Sequence, residues 1–352
     1  MRSFASLPLL DPWNPFQIHW IYAMEERGWR AEPLIWWPVS LFKHRKSIPV
    51  IVFHFPNAYW RTRDMRLARI KAWVFRLMFI LAKRLGYKLV WVANNVLPHD
   101  ALHPQLELTQ RRWMLDRFDL VIGVARNTRK DLEAALGPFD TPFVEGVHGH
   151  YEGLYPPTAA REDLIRRFGF DASKLRLLLV LSDKPYKGHS PFLEAWTHAE
   201  TKGLQLVVAG KASPAIAAQI KVLPGDVLRV GPDRRIAHYE MGDLLHACDM
   251  VALPYLRVTT SGAYFLALTM GRPVLAPDLP FFKSHTGGGK GIAQLYPNSG
   301  GIEALRESIS ALARTGFSPD TDALLALKKQ FTWRRFAEAV APAFDALVKA
   351  GA

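Results

Sequence analysis

Apolar runs in this chain end in polar turns at intervals too long for hairpins and suited to strands alternating with helices. Short strand-like runs are predicted near Phe4 to Leu10, Val50 to Phe55, Lys88 to Ala93, Leu120 to Val124 and Phe143 to Val147. Segments of helical period fall between them, at Phe16 to Arg27, Arg66 to Leu85, Leu106 to Arg117 and Thr128 to Leu136. A polar stretch from Tyr155 to Ala172 with Pro156-Pro157 interrupts the pattern. It restarts at the run Leu175 to Ser182 and continues with strands near Leu204 to Ala209, Val227 to Val230, Met250 to Pro254 and Pro273 to Ala276. The sequence shows no repeat and no low-complexity tract, which predicts an α/β chain of two doubly wound domains facing across a cleft.

Composition agrees with that division. A chain of 352 residues, 49% apolar, suits two α/β domains of about 150 to 180 residues each. The single cysteine, Cys248, rules out an intrachain disulfide or a cysteine-rich metal site and points to a reducing cytoplasm. The opening MRSFASLPLLDPWNPF lacks the pattern of a signal peptide, and the apolar helix Ala72 to Ala82, interrupted by Arg76, is too short to span a bilayer. The formal charge of +13 is uneven: Arg61, Arg63, Arg66, Arg69, Lys71, Arg76, Lys83, Arg84 and Lys88 face only Asp64 in one segment. Trp60, Trp73, Phe75 and Phe79 lie in the same stretch, an arrangement suited to an anionic membrane surface or a polyanionic substrate. A solvated basic face is the plain alternative; nucleic acid is not expected, for no reader module is recognisable.

The candidate chemistry concentrates in the second half. Leu253 to Pro277 reads as strand, tight turn, helix and strand, with Thr259-Thr260-Ser261-Gly262 opening the helix. The hydroxyls, the close approach allowed by Gly262 and the positive end of the helix together form a seat for a phosphate or diphosphate. An ordinary helix N-cap has the same residues. Upstream, Lys184 and Lys187 leave the end of the Leu175 strand together, where ligands of open α/β sheets bind, although a polar loop often carries solvated lysines. Lys211 ends the next strand and either helps at that site or closes a loop. Asp320-Thr321-Asp322 reads as a helix cap, so no metal is assigned, and Thr286 to Gly291 reads as a lid rather than a P-loop.

Asn14-Pro15-Phe16, Asn95 through Asp100, His148-Gly149-His150-Tyr151, Lys184 through Gly188, Leu253-Pro254-Tyr255 and Ser261-Gly262 together resemble bacterial exopolysaccharide glycosyltransferases of the GT-B fold. Within them the pattern is most similar to the GDP-mannose-dependent β-mannosyltransferases of xanthan assembly and their relatives. The resemblance implies a sugar-nucleotide donor, GDP-mannose, bound by a domain at 156–332. A lipid-diphosphate-linked oligosaccharide acceptor would approach a domain at 1–155 on the inner leaflet of the membrane. It also implies that a helix from Trp333, in a segment 333–352, crosses back to the first domain. Lys184 and Lys187 would neutralise the donor diphosphate, received by Thr260, Ser261 and Gly262, with Tyr255 and Lys211 nearby. Asn14, Trp60, Arg61, Arg63, Arg66 and Arg69 would serve the acceptor or the membrane. No cofactor or metal is implied. The chain departs from many retaining relatives in carrying Val258 and Leu266 where they have glutamates, Asn94 where they have histidine and Glu152 where they have arginine.

Inversion would need a base for the acceptor hydroxyl and cations for the departing diphosphate. Position just beyond a strand favours His150 and Asp100 over His148 and Glu145. His150 could equally be structural, and Asp100 could simply cap its segment. A hexosyltransferase using GDP-mannose is expected, with a UDP-sugar enzyme or a non-catalytic scaffold of a polysaccharide assembly complex as alternatives.

Overall fold

The computed structural model describes residues 1–7, 15–98, 101–182, 184–232 and 234–349. The chain divides into two compact units, one formed by Met1–Gly149 with Phe331–Ala352 and the other by His150–Gln330.

In the first unit six parallel strands form one sheet: β1 (Arg2–Leu7), β2 (Trp29–Glu32), β3 (Val50–Phe53), β4 (Lys88–Ala93), β5 (Leu120–Gly123) and β6 (Phe143–Glu145), in the order β2-β1-β3-β4-β5-β6. Alternation along the strands serves two cores. Phe53 and Trp91 point to the face covered by Phe75 and Phe79 of the Met65–Arg84 helix, while Val52 and Val92 point to the face covered by Trp20, Phe336 and Phe344. With both faces covered, the central strands are almost wholly buried, which is why they read as unbroken apolar runs. The helix Trp333–Lys349 belongs to this second core, and Gly146 lets it close in: a Cβ there would stand 2.8 Å from both Phe336 and Val340.

The second unit repeats the plan with β7 (Leu175–Val180), β8 (Leu204–Ala209), β9 (Asp226–Val230), β10 (Met250–Ala252), β11 (Val274–Pro277) and β12 (Ala293–Tyr296), all parallel, in the order β12-β11-β10-β7-β8-β9. The chain runs outward from β7 through β8 to β9, then returns to β10 on the other side of β7. The neighbours β7 and β10 therefore form the topological switch point, where loops leave in opposite directions and open a crevice.

The strands and the first-unit helices expected from the sequence are present, with additions in both units. β2, β12 and the Pro38–His44 helix were not predicted. The first two are four-residue edge strands whose mixed polarity is too short to show a period, and the helix is seven residues long. Asp320 caps its helix as expected, its carboxylate accepting from Ala323 N at 2.9 Å.

Candidate functional site

The loop after β7 and the loop after β10 meet at the switch point. Gly188 makes this contact feasible: its φ is +69°, and a Cβ on it would lie 1.9 Å from the carbonyl oxygen of Pro254. Leu256 N donates to Tyr186 O at 2.8 Å, tying the two loops by their backbones. Lys187 is thereby held with its Nζ 5.8 Å from the centroid of the Tyr255 ring.

A cavity of about 490 Å³ opens beside this junction, lined among others by Lys187, Lys211, Ser182, Tyr155, Arg235 and Leu266. A smaller one of about 70 Å³, which shares Lys187 and Leu266, continues to Tyr255 and His189. Burial, and then the nearby Lys184, lower the pKa of the Lys187 ammonium. His189 is held neutral, its pKa lowered to about 4 by burial and by Lys187. An anion entering the cavity would relieve the repulsion among these groups. Among the described residues the lining Ser182 Oγ is buried without a hydrogen-bond partner, as is Thr260 Oγ1 beside the N-cap Ser261.

Ser261 does what an N-cap does. Its Oγ accepts from Tyr264 N at 3.2 Å and donates to Tyr255 Oη at 3.2 Å, so the hydroxyl is committed to the helix start and to the wall of the site. Gly262 opens the helix Gly262–Thr269 and is packed under Tyr151, whose Oη would stand 2.9 Å from a Cβ at that position. Tyr151 N donates to Thr269 Oγ1 at 2.8 Å, so the segment following His150 lies along this helix. The loop from Gly231 is anchored by Arg234, which forms a two-pronged ion pair with Glu240 at 2.6 and 2.8 Å and leaves its neighbour Arg235 at the cavity.

The structure thus brings Lys187, Lys211, Tyr255, Ser261 and Gly262 into one region, with Lys184 exposed on the same loop. His150 is buried; its Nδ1 accepts from Glu152 N at 3.2 Å and its Nε2 lies 3.6 Å from Glu152 Oε2. Its ring therefore holds its own turn. Asp100 and Asn14 lie outside the described residues. Among the described residues no group of three or more His, Cys, Asp or Glu side chains could hold a metal ion.

One expectation is corrected. Trp60, assigned to the acceptor or membrane surface, is 1% exposed, packs edge-on to Phe75 at 5.2 Å and donates its indole N–H to Glu107 Oε1 at 2.9 Å. An indole beside a buried carboxylate satisfies both groups, and no such pairing is visible in linear sequence. Arg61, Arg63, Arg66 and Arg69 are exposed. The sequence reading missed Ser182, His189, Tyr155, Arg235 and His238 at the cavities. Only the first two carried a signal, lying within a few residues of Lys187 at the end of a predicted strand.

Residues 175–315 match the model of the family described as glycosyl transferases group 1. Two curated proteins of Xanthomonas campestris pv. campestris, both named GDP-mannose:glycolipid 4-beta-D-mannosyltransferase, are 26% identical over 240 residues. The match covers 65% of this chain and spans 61% of the relatives' own length. Among solved structures, Anabaena HepE in complex with UDP and glucose superposes with a TM-score of 0.70 at 14% identity, covering 98% of this chain and all of that one. The sucrose-phosphate synthase of Thermosynechococcus elongatus does so with a TM-score of 0.71 at 14% identity, covering 99% of this chain. The expected fold is borne out: the chain has the GT-B architecture of two Rossmann-like parallel sheets.

Proposed function

We propose, starting from a chain whose residues 175–315 match the glycosyl transferases group 1, that it is a hexosyltransferase moving mannose from GDP-mannose, with inversion, to a lipid-diphosphate-linked oligosaccharide in exopolysaccharide assembly. The observation that carries this reading is the cavity at the β7–β10 switch point, where Lys187, Lys211 and the unpartnered hydroxyl of Ser182 converge. A sugar nucleotide leaves behind a diphosphate, whose growing charge needs cations and donors fixed in advance. Lys187 supplies a partly desolvated cation, Thr260 an unengaged hydroxyl, and the start of the Gly262–Thr269 helix its backbone N–H groups. Leu266 on the cavity wall accepts no hydrogen bond, so the ribose would be held by other groups, with Tyr155 and His238 at hand. Asp100 and His150 are the proposed bases; for His150 to act, its ring must leave Glu152. The chemistry proposed asks nothing of a metal or cofactor.

The acceptor side of the proposal is a membrane surface. The helix Met65–Arg84 turns one apolar stripe into the core and a second outward: Leu67, Ile70, Trp73, Val74, Leu77 and Ile80 are exposed, at three- and four-residue spacing. Arg66, Arg69 and Arg84 are exposed on the same helix. The adjoining Pro38–His44 helix and its approach add exposed Ile35, Trp37, Val39 and Phe42 beside Lys43, Arg45 and Lys46. Apolar side chains ringed by arginine and lysine suit insertion among anionic headgroups. Among the described residues no helix is long and apolar enough to cross a membrane.

Thermal stabilisation by GDP, UDP, ADP and their sugar conjugates, followed by turnover with a lipid-linked acceptor, tests the reading. Selective stabilisation by GDP and GDP-mannose, with transfer that stops in Lys187→Ala, is the expected result. A UDP-selective response would replace the donor. Binding without transfer to any acceptor would favour the scaffold, a reading to which Leu266 lends its one observation.

A further inference from the structure

The opposite end of the second unit's sheet carries another cavity, of about 370 Å³. It lies where strands begin: Arg176 is the second residue of β7, Asp249 immediately precedes β10, and Arg272 and Pro273 immediately precede β11. Strand rise places Arg176 about 13 Å from Val180 at the switch-point cavity, so the two sites occupy opposite ends of the same strand.

Three arginines, Arg161, Arg176 and Arg272, line this cavity with one carboxylate, Asp249. Asp249 is fully engaged. Its Oδ2 accepts from Arg176 N and Nε, both at 2.8 Å, and its Oδ1 accepts from Arg176 Nη2 at 3.0 Å and from Arg161 Nη2. Arg161 Nε donates to His246 O at 3.1 Å. Lys174 at the rim is answered by Asp171 and Asp226. Arg272 has no such answer: among the described residues its guanidinium makes no hydrogen bond or ion pair, and its Nε is buried without an acceptor. Arg176, only 5% exposed, leaves its Nη1 buried and unpartnered as well. Burial, and then the repulsion of Arg161, lower the pKa of Arg272 and outweigh the attraction of Asp249.

Three guanidinium groups against one carboxylate leave an excess of two positive charges. Buried N–H donors and unpaired cations are costly unless something supplies acceptors. The free donors belong to guanidinium groups, whose geometry matches phosphoryl oxygens, and Gly271, Gly316 and Phe317 leave room for an attached carbon skeleton. The volume falls in the range of small-ligand pockets. We propose that this cavity is a second ligand site, taking the dianionic phosphoryl group of a small phosphorylated metabolite on Arg272 and Arg176, apart from the switch-point site.

The test is the melting temperature of the full chain with glucose 6-phosphate or inorganic phosphate against chloride at matched ionic strength. Both phosphates are expected to stabilise the wild type and the Lys184→Ala/Lys187→Ala variant, in which the switch-point site has lost two of its cations. In that variant background stabilisation should vanish on adding Arg272→Met and weaken on adding Arg272→Lys, which keeps the charge and loses the fork. The ligand-free Arg272→Met chain should melt at or above the wild-type temperature, since a cation without a partner has been removed. Phosphate stabilisation that survives Arg272→Met in the Lys184→Ala/Lys187→Ala background, is lost with the two lysines alone, or is absent from the wild type would overturn the proposal. So would a ligand-free Arg272→Met chain that melts lower or fails to fold, because Arg272 would then be a structural residue.

Discussion

Lys187, Gly188 and His189 make three different demands on one short loop, and each can be tested alone. Gly188→Ala sets a methyl against the Pro254 carbonyl and strains a φ of +69°. It should cost more than about 1 kcal/mol and displace Lys187, seen as a lower urea midpoint together with weakened nucleotide binding. Lys187 must be charged to hold a diphosphate, and its pKa lies below the ordinary lysine range. Nucleotide affinity should therefore fall as pH rises, starting below that range, whereas Lys187→Arg should flatten the profile; an unchanged profile would remove Lys187 from the site. His189 has its folded pKa lowered to about 4 against 6.5 in the unfolded chain. The unfolded state then binds more protons between those values, so the stability that neutral His189 contributes is complete above pH 6.5 and lost as pH falls towards 4. The loss amounts to about 3 kcal/mol, and His189→Gln should abolish this part of the slope in denaturant titrations at successive pH values. The lysines and the glycine were legible in the sequence because they follow a predicted strand. The burial that sets their charge states was not, because it depends on the loop after β10, some seventy positions away.

At the scale of the element, the Met65–Arg84 helix shows how far a periodic pattern can be read. Its length and its basic content were plain, and Asp64 caps it by accepting from Arg66 N at 2.7 Å and Leu67 N at 3.0 Å. Its aromatic residues were read together as one surface, yet Trp73 is 60% exposed whereas Phe75 and Phe79 are buried. A helix apolar on two faces has no single dominant direction, and only the neighbouring sheet decides which stripe is covered. Ile70→Glu/Trp73→Glu should leave the melting temperature nearly unchanged while releasing the protein from vesicles rich in phosphatidylglycerol in a sedimentation assay. Binding that is undiminished in this variant, or equal on neutral phosphatidylcholine vesicles, would disprove insertion through this face.

For the whole molecule, the first unit is discontinuous in sequence. Phe336, Val340 and Phe344 of the last helix complete a core that also contains Phe4, Trp20 and Val52 from the start of the chain. Removing three such side chains together costs far more than the few kcal/mol typical of one, so a chain ending at Gln330 should lose the cooperative unfolding of the first unit. The second unit has its own core and should retain its nucleotide response. A truncated chain whose first unit unfolds as cooperatively as in the parent would contradict this. The +13 charge belongs to the same scale, since it bears on attraction to anionic surfaces and leaves the fold undecided.

By itself the sequence determined the alternation of strands and helices, the two-unit plan, and the loops that carry Lys187 and Ser261. Those features follow from local periodicity and from the rule that open parallel sheets bind ligands beyond their carboxyl ends. Tertiary structure alone decided that Trp60 is buried on Glu107, that Ser182 and Thr260 keep unengaged hydroxyls, and that Arg272 stands beside a carboxylate already taken by Arg161 and Arg176. Whether a polar group is satisfied depends on partners brought from distant parts of the chain, and burial sets the free-energy cost of leaving it unsatisfied.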